Sequence, residues 1–379
     1  MTGFRLRSFV LAGAVTLATV AALFGASGSP ASANTRPVST ARPAGLHPAM
    51  AGYSLMRLVS DKAGVAAHQD TDLVNAWGLA AGPETPWWVG DNGTSLSTIY
   101  GSDGTKGSFV VSVPEDPTGV VFNGGSDFAV TDGMHSGPSL FLFDTEAGQI
   151  LGWNPNVPPP APSTQAFVVV DKTDVGAIFK GLAIASTPGG DRLYATDFHN
   201  GTVDVFDGNF TQITTPGRFT DPNLPKGYAP FGIQAIGDDV FVTYAKQVPG
   251  SGDEADGATL GFVDEYDTSG MFVARVASRG VLNAPWGLAM APSDFGRFSN
   301  DLLVGNFGNG VINAYSWSGG SWKHAGKLRR RSGRIIKIPG LWAIEFANGG
   351  PSGAANQLFF TAGPGDESHG LFGVIEATG

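Results

Sequence analysis

The sequence predicts an all-β fold, a six-bladed β-propeller whose N-terminal strand closes the last blade, and three observations carry that expectation. Gly 55 and Pro 25 beside only 15% charged residues describe a chain full of turns with few exposed helices. A short phrase, VNAWGLAAGP from Val74, returns as LNAPWGLAMAP from Leu282, and repetition inside one chain marks a repeat architecture. Between and beyond these copies, short apolar runs alternate in polarity and are bounded by Gly, Pro, Asn and Asp, the pattern of half-buried strands.

In chain order, residues 1–33 read as a secretory signal. Arg5 and Arg7 precede an uncharged stretch from Phe9 to Phe24, and Ala31-Ser32-Ala33 places small residues where signal peptidase cleaves. The stretch is too short to span a bilayer comfortably, so the expected product is secreted and has no membrane span in its mature form. The chain has no cysteine, which excludes a lipid-anchored cysteine, disulfides and thiolate chemistry. Residues 34–52 are rich in Pro and Ala and read as a disordered tether. Residues 53–379 read as the propeller.

Six copies of one strand pattern follow. The first strands read WGLAAG at Trp77, TGVVFN at Thr118, KGLAIA at Lys180, FGIQAI at Phe231, WGLAMA at Trp286 and LWAIEF at Leu341. The second strands end in a register column, Asp91, Asp144, Asp197, Tyr244, Asn306 and Ala362, spaced by 47 to 62 residues. That period suits four-stranded blades. Third strands run from STIYGSD at Ser97 to GLFGVIE at Gly370, and fourth strands show at Ser108, Ala166 and Met271. The sixth copy has no fourth strand before Gly379, whereas YSLMRLVS stands unassigned at Tyr53. Pairing that orphan with the last copy closes the ring and removes an open sheet edge. Within the repeated phrase, Gly78 and Gly287 let neighbouring backbones approach, and Pro285 sets the turn before its strand. Trp77 and Trp286 are expected to pack between blades as core aromatics.

These residues carry a resemblance. DTDLVNAWGLAAG (70–82), TDPNLPKGYAPFGIQAIG (220–237), LLVGNFGNGVINAY (302–315) and LFFTAGPGDESHGLFG (358–373) resemble the motifs of a family of uncharacterised exported bacterial proteins, similar to NHL-type and gluconolactonase-like six-bladed propellers. The resemblance spans about residues 53–377. It implies the propeller fold and no particular activity. In the gluconolactonase-like branch, a divalent metal sits on the axis between Glu, Asn and Asp side chains from different blades. No first strand here supplies the matching early glutamate.

A propeller brings the loops after second strands and before first strands to one mouth of the central channel, the expected ligand site. Asp91, Asp144, Asp197 and Asn306 are the candidate metal residues there, suited to Ca²⁺ or another divalent cation. The alternative is that each aspartate accepts hydrogen bonds from its own Gly-rich turn. Asn92, Asn200, Tyr244, Lys246 and Asn309 are the candidate ligand contacts, with Glu146 and Asp366 beside them. His199, His369 and Glu367 are the candidate acid–base residues; the two histidines titrate near neutral pH, and all three fall on mouth loops. The loop GSGDEADGA (250–258) lacks calcium-hand spacing and reads as a solvated insertion or a lid over the mouth.

Charge and missing motifs narrow the function. The formal net charge of −10, more negative once Arg5 and Arg7 are removed, repels phosphate backbones and argues against nucleic acid as a partner. Nucleophile-elbow, zinc-protease, P-loop and dinucleotide signatures do not occur in a suitable context. The expected function is that of an exported, monomeric propeller that binds a small polar molecule or a divalent cation at its mouth. A metal-dependent hydrolase or lactonase is one alternative. A cell-surface scaffold is another, with the basic stretch KLRRRSGRIIK (327–337) meeting an anionic polymer.

Overall fold

The computed structural model describes residues 51–379. The expected signal 1–33 and the tether as far as Met50 lie outside the described residues; the end of the tether does not, because Gly52 already belongs to a strand.

Blade 1 runs from the inner to the outer edge as Ala76–Ala80, Trp87–Asp91, Leu96–Tyr100 and Val111–Ser112. Blade 2 follows as Pro117–Phe122, Phe141–Thr145, Gln149–Trp153 and Phe167–Asp171. Blade 3 has three strands, Phe179–Thr187, Gly190–Asp197 and Thr202–Asp207. Blade 4 contains Tyr228–Ile236, Asp239–Gln247, Phe262–Asp267 and Phe272–Ser278, and the short strand Glu254–Ala255 adds to the second of them. Blade 5 contains Pro285–Met290, Leu302–Asn306, Ile312–Ser318 and Ser321–Lys327. Blade 6 contains Leu341–Phe346, Leu358–Ala362 and Leu371–Thr378, and Gly52–Ser60 completes it as the outer strand. Each inner strand packs against the inner strands of the blades before and after it, blade 6 against blade 1 included, so the ring is closed.

Side chains from facing sheets fill the spaces between blades. Trp88 of blade 1 stacks on Phe141 of blade 2 with centroids 4.2 Å apart, and comparable buried clusters separate the other pairs of blades. The inner strands approach so closely that a side chain will not fit at some positions. A Cβ on Gly232 would lie 2.1 Å from the Trp286 carbonyl oxygen, and one on Gly287 would lie 2.6 Å from that of Trp342. The glycine in the repeated phrase is therefore a spacing device between blades, as its sequence position suggested.

In all six blades the ladder between first and second strands shifts register at the residue just before this glycine or its equivalent, as between Ala76 and Leu79 or Phe179 and Leu182. Such an irregularity re-aims one side chain, here toward the axis. Blade 2 has the same shift, its first strand advancing from Pro117 to Val120 opposite Thr145 and Phe143. Thr145, paired with Pro117, therefore holds the place that Asp91, Asp197 and Asn306 hold in their own blades. Asp144 stands one residue off the expected column, and a shift of one residue turns a strand side chain to the other face.

The basic stretch 327–337 forms a tight turn at the edge of blade 5. Arg330 N–H bonds to the Arg334 carbonyl at 2.8 Å, and Arg329, Arg330, Arg331 and Arg334 are all exposed. Among the described residues, no helix is long and apolar enough to cross a membrane.

Candidate functional site

At the end of the axis where second strands finish, each inner strand contributes one residue from the same place in its repeat: Trp77, Thr118, Lys180, Phe231, Trp286 and Trp342. Their contacts run between blades that are not neighbours, which only the axis permits. Trp77 of blade 1 meets Trp286 of blade 5 edge-on at 6.2 Å and stacks on Trp342 at 3.6 Å, and Phe231 of blade 4 meets Trp342 of blade 6 at 5.8 Å. The expectation that Trp77 and Trp286 pack between blades is thus corrected. They join Trp342, Phe307 and Phe198 in a plug that closes the channel.

The lysine in this ring organises the polar half of the mouth. Lys180 is almost wholly buried, with 3% of its side chain exposed. Its Nζ lies 2.5 Å from Glu146 Oε1 and 4.0 Å from Glu254 Oε2, and it stands over the Trp77 ring at 5.0 Å. Burial works against its charge, but Glu146 and Glu254 outweigh burial and hold its pKa above the ordinary lysine value. Trp286 Nε1 donates to the Lys180 carbonyl at 2.7 Å, fixing the backbone beneath the ammonium.

From Glu146 a directed chain of amides crosses the mouth. Trp342 Nε1 donates to Asn75 Oδ1, which turns Asn75 Nδ2 toward Asn92 Oδ1 at 3.0 Å and Glu367 Oε2 at 2.7 Å. Asn92 Nδ2 in turn donates to Glu146 Oε2 at 2.9 Å. Asn75 sits at a positive φ of 47°, a conformation asparagine tolerates better than most residues. The Trp77 indole N–H, by contrast, is buried without an acceptor among the described residues.

The 250–258 loop reaches the mouth. Its strand Glu254–Ala255 pairs with Lys246 and Gln247, and the Gly257 N–H bonds to Asn283 Oδ1 at 2.6 Å. Glu254 thereby dips into the mouth with 6% of its side chain exposed. Burial pushes the Glu254 carboxyl up to about 7, with Lys180 pulling the other way. Glu146 already takes the short contact to Lys180, so Glu254 is the carboxyl whose desolvation is least compensated. Burial raises the Glu367 carboxyl as well, opposed by Asn75 and Lys180.

Of the residues expected at the mouth, Asn92, Glu146 and Glu367 come together in this network. Asp91, Asp144, Asp197 and Asn306 are buried and serve their own blades or the next. Asp91 accepts from the Thr98 N–H at 2.9 Å, and Asp144 accepts from Thr118 Oγ1 at 2.8 Å. Asp197 accepts from Asn200 Nδ2 at 2.7 Å, and Asn306 donates to the Val281 carbonyl at 2.9 Å. Burial raises Asp144 to about 6 against its bonds from Thr118 and Gly119. Among the described residues, no group of three or more His, Asp or Glu could hold a metal ion.

The remaining candidates lie around this network. Tyr244 is buried between blades, with its hydroxyl 2.6 Å from that of Tyr266. Lys246 stands over the Tyr228 ring below the lid strand, and Asn309 caps its own turn through the Val311 N–H. His199, Asn200 and Asp366 are exposed on the rim. His369 Nδ1 meets Asp61 Oδ2 at 2.7 Å, which ties the last mouth loop to the segment after the closing strand.

Comparison with known proteins places the chain. No family model matches it. Over 352 residues it is 34% identical to uncharacterized protein R648 of Acanthamoeba polyphaga mimivirus, covering 88% of this chain and 82% of that protein. The chain belongs to the R648 family. A second mimivirus member, L690, is 31% identical over 351 residues and covers 88% of each chain. These relatives are viral, whereas the motifs suggested exported bacterial proteins. Solved structures of the same fold include a Bacteroides thetaiotaomicron protein of unknown function (TM-score 0.54, 10% identity, 86% of this chain and 76% of that one). A glucose dehydrogenase also matches (0.51, 12%, 86% and 99%), as does a streptogramin B lyase (0.50, 10%, 88% and 100%). At these identities they share the propeller alone.

In this family member the lid should respond to pH. When the lid lifts, Glu254 regains an ordinary carboxyl pKa near 4.5, so between pH 4.5 and about 7 the closed form holds a proton that the open form has lost. Closure therefore weakens as pH rises through that window and levels off above it. Hydrogen exchange in residues 248–258, corrected for intrinsic rates, is expected to accelerate about fiftyfold from pH 5 to 7.5. Glu254→Gln should abolish the change; an unaltered pH response in that variant would refute the assignment.

Proposed function

We propose that the protein binds a small polyhydroxylated molecule of the sugar class at the mouth, beneath the 250–258 lid. The observation that carries this reading is the network in which Glu146, Glu254 and Glu367 converge on Lys180 beside half-buried Trp286 and Phe307. Sugar hydroxyls both donate and accept, which matches a set that mixes carboxylates, Asn75 and Asn92 amides and one ammonium. Sugar C–H faces pack on aromatic rings, and the unpaired Trp77 N–H offers one further donor. Lys180 is buried with the lid down, so binding requires Glu254 to withdraw and the ligand to take its place beside Lys180.

A metal-assisted hydrolase is less well supported, because Asp91, Asp144, Asp197 and Asn306 belong to separate blades and are bonded there. A thermal-shift panel of monosaccharides, polyols and sugar acids at 10 mM, with calcium chloride as a separate arm, separates the two readings. At least one polyol or sugar should raise the melting temperature of the wild type, and Asn92→Leu should lose that shift. A panel without any such shift sinks the sugar reading, and a calcium shift lost in Asp91→Asn would favour the metal.

A further inference from the structure

A second site, of different chemistry, lies at the opposite end of the channel. Beyond the aromatic plug the inner strands line an open-mouthed cavity of about 190 Å³, walled by Ala80, Val121, Phe122, Ala183 and Ile184. A slot of about 20 Å³ continues inward from it to Trp286. Counted three places after the mouth residue, the inner strands present Ala80, Val121, Ala183 and Ala289 in four blades. The other two present Gln234 and Glu345, and both line the cavity and the slot. Among the described residues, Glu345 is the titratable group of this wall, and no other charged side chain lines either space.

We propose that this well binds a compact aliphatic amine, with its ammonium on Glu345 and Gln234 and its hydrocarbon body against Val121, Ala183 and Ile184. Glu345 is half-buried in this wall and no cation lines the well beside it; burial alone pushes it up to about 8. An alkylammonium supplies that cation together with apolar surface, and the ion pair forms where screening is weak. Its three N–H donors can be met by the Glu345 oxygens and the Gln234 carbonyl. An anion would be repelled, and a neutral alcohol would gain one ordinary hydrogen bond. A cavity of about 150 Å³ takes up benzene, so this one suits a body of about six to eight heavy atoms. Entry is from the far face, because the plug and the lid close the mouth.

The test is calorimetric titration of the full chain with n-pentylamine, with 1-pentanol and pentanoate as controls. Pentylamine should bind one to one, pentanol about tenfold more weakly or worse, and pentanoate not at all. Because Glu345 must give up its proton to pair with the ammonium, binding should strengthen from pH 6 to 8. It should also release a proton, detectable by comparing buffers of different ionisation enthalpy. Glu345→Gln should weaken pentylamine about tenfold and abolish proton release. Ala183→Leu, which fills the well and also crowds the core between blades 3 and 4, should remove binding in protein whose cooperative melting shows that it is folded. If Glu345→Gln does not fold, proton release by the wild type and the Ala183→Leu result decide the matter. Equal affinity in folded Glu345→Gln, binding without proton release, or no heat with 20 mM pentylamine overturns the proposal.

Discussion

Replacing Lys180 by methionine is expected to destabilise the protein by about 3–5 kcal/mol at pH 7.5, the cost of breaking a buried ion pair from one side. The variant keeps a side chain of similar length over Trp77, so packing at the plug survives and the loss is electrostatic. Glu254 and Glu367, whose carboxyls burial already raises, would then lose the cation that opposes burial and would resist ionisation further. Their folded-state pKa values would lie above the unfolded ones, so the penalty is small at acid pH and grows as pH rises through those raised values. The deficit relative to wild type should therefore shrink markedly at pH 5. Adding Glu254→Gln to the variant should recover part of it, which a double-mutant cycle measures as coupling. A loss below about 1 kcal/mol, or one equal at pH 5 and 7.5, would mean that the cluster does not act as a unit.

The architecture was legible because three independent signals agreed: strand alternation, a repeat of blade length, and one strand too many at the start matched by one too few at the end. The mouth was legible only where a residue lay in a loop. Asn92, Glu146 and Glu367 follow second strands, and their position alone brought them into view. Lys180 was hidden inside KGLAIA, where it reads as an ordinary strand residue. Aligned with Trp77, Phe231, Trp286 and Trp342, however, it is a lone cation in a column of inward-facing aromatics. That mismatch was the available signal, because a buried lysine requires acidic partners.

Glu254 carried no such mark, since an acidic loop is more often solvated, and only tertiary pairing with Lys246 and Gln247 turns it inward. The metal column failed at Asp144 for a reason no spacing count detects. The second strand of blade 2 reaches the column one residue later, so Thr145 and not Asp144 pairs with the residue before the mouth position, Pro117. His369 lies on the expected loop, but its partner Asp61, some three hundred residues away in sequence, could not be read from spacing. The closing strand brings that partner to it.

Removing the closing strand should have the largest effect of all. A chain that begins at Asp61 is expected to lose more than about 10 °C of melting temperature, or to aggregate, whereas one that begins at Ala51 should match the full chain. Gly52–Ser60 pairs along the whole of Leu371–Thr378, from Gly52 opposite Thr378 to Ser60 opposite Leu371, and without it that strand becomes a bare edge. The strand also fastens blade 6 to blade 5. Tyr53 is buried against Phe295 and Phe298, its hydroxyl donates to the Phe295 carbonyl at 3.1 Å, and its backbone N–H donates to the Arg329 carbonyl at 2.9 Å. Tyr53→Ala alone should therefore cost about 3–5 kcal/mol, as for other large buried rings. Because the segment is contiguous and pairs by backbone hydrogen bonds, a synthetic peptide of residues 51–62 supplied in trans should restore part of the lost melting temperature by strand addition. A truncated chain that melts like the full one would show that blades 1 to 6 hold together without this closure.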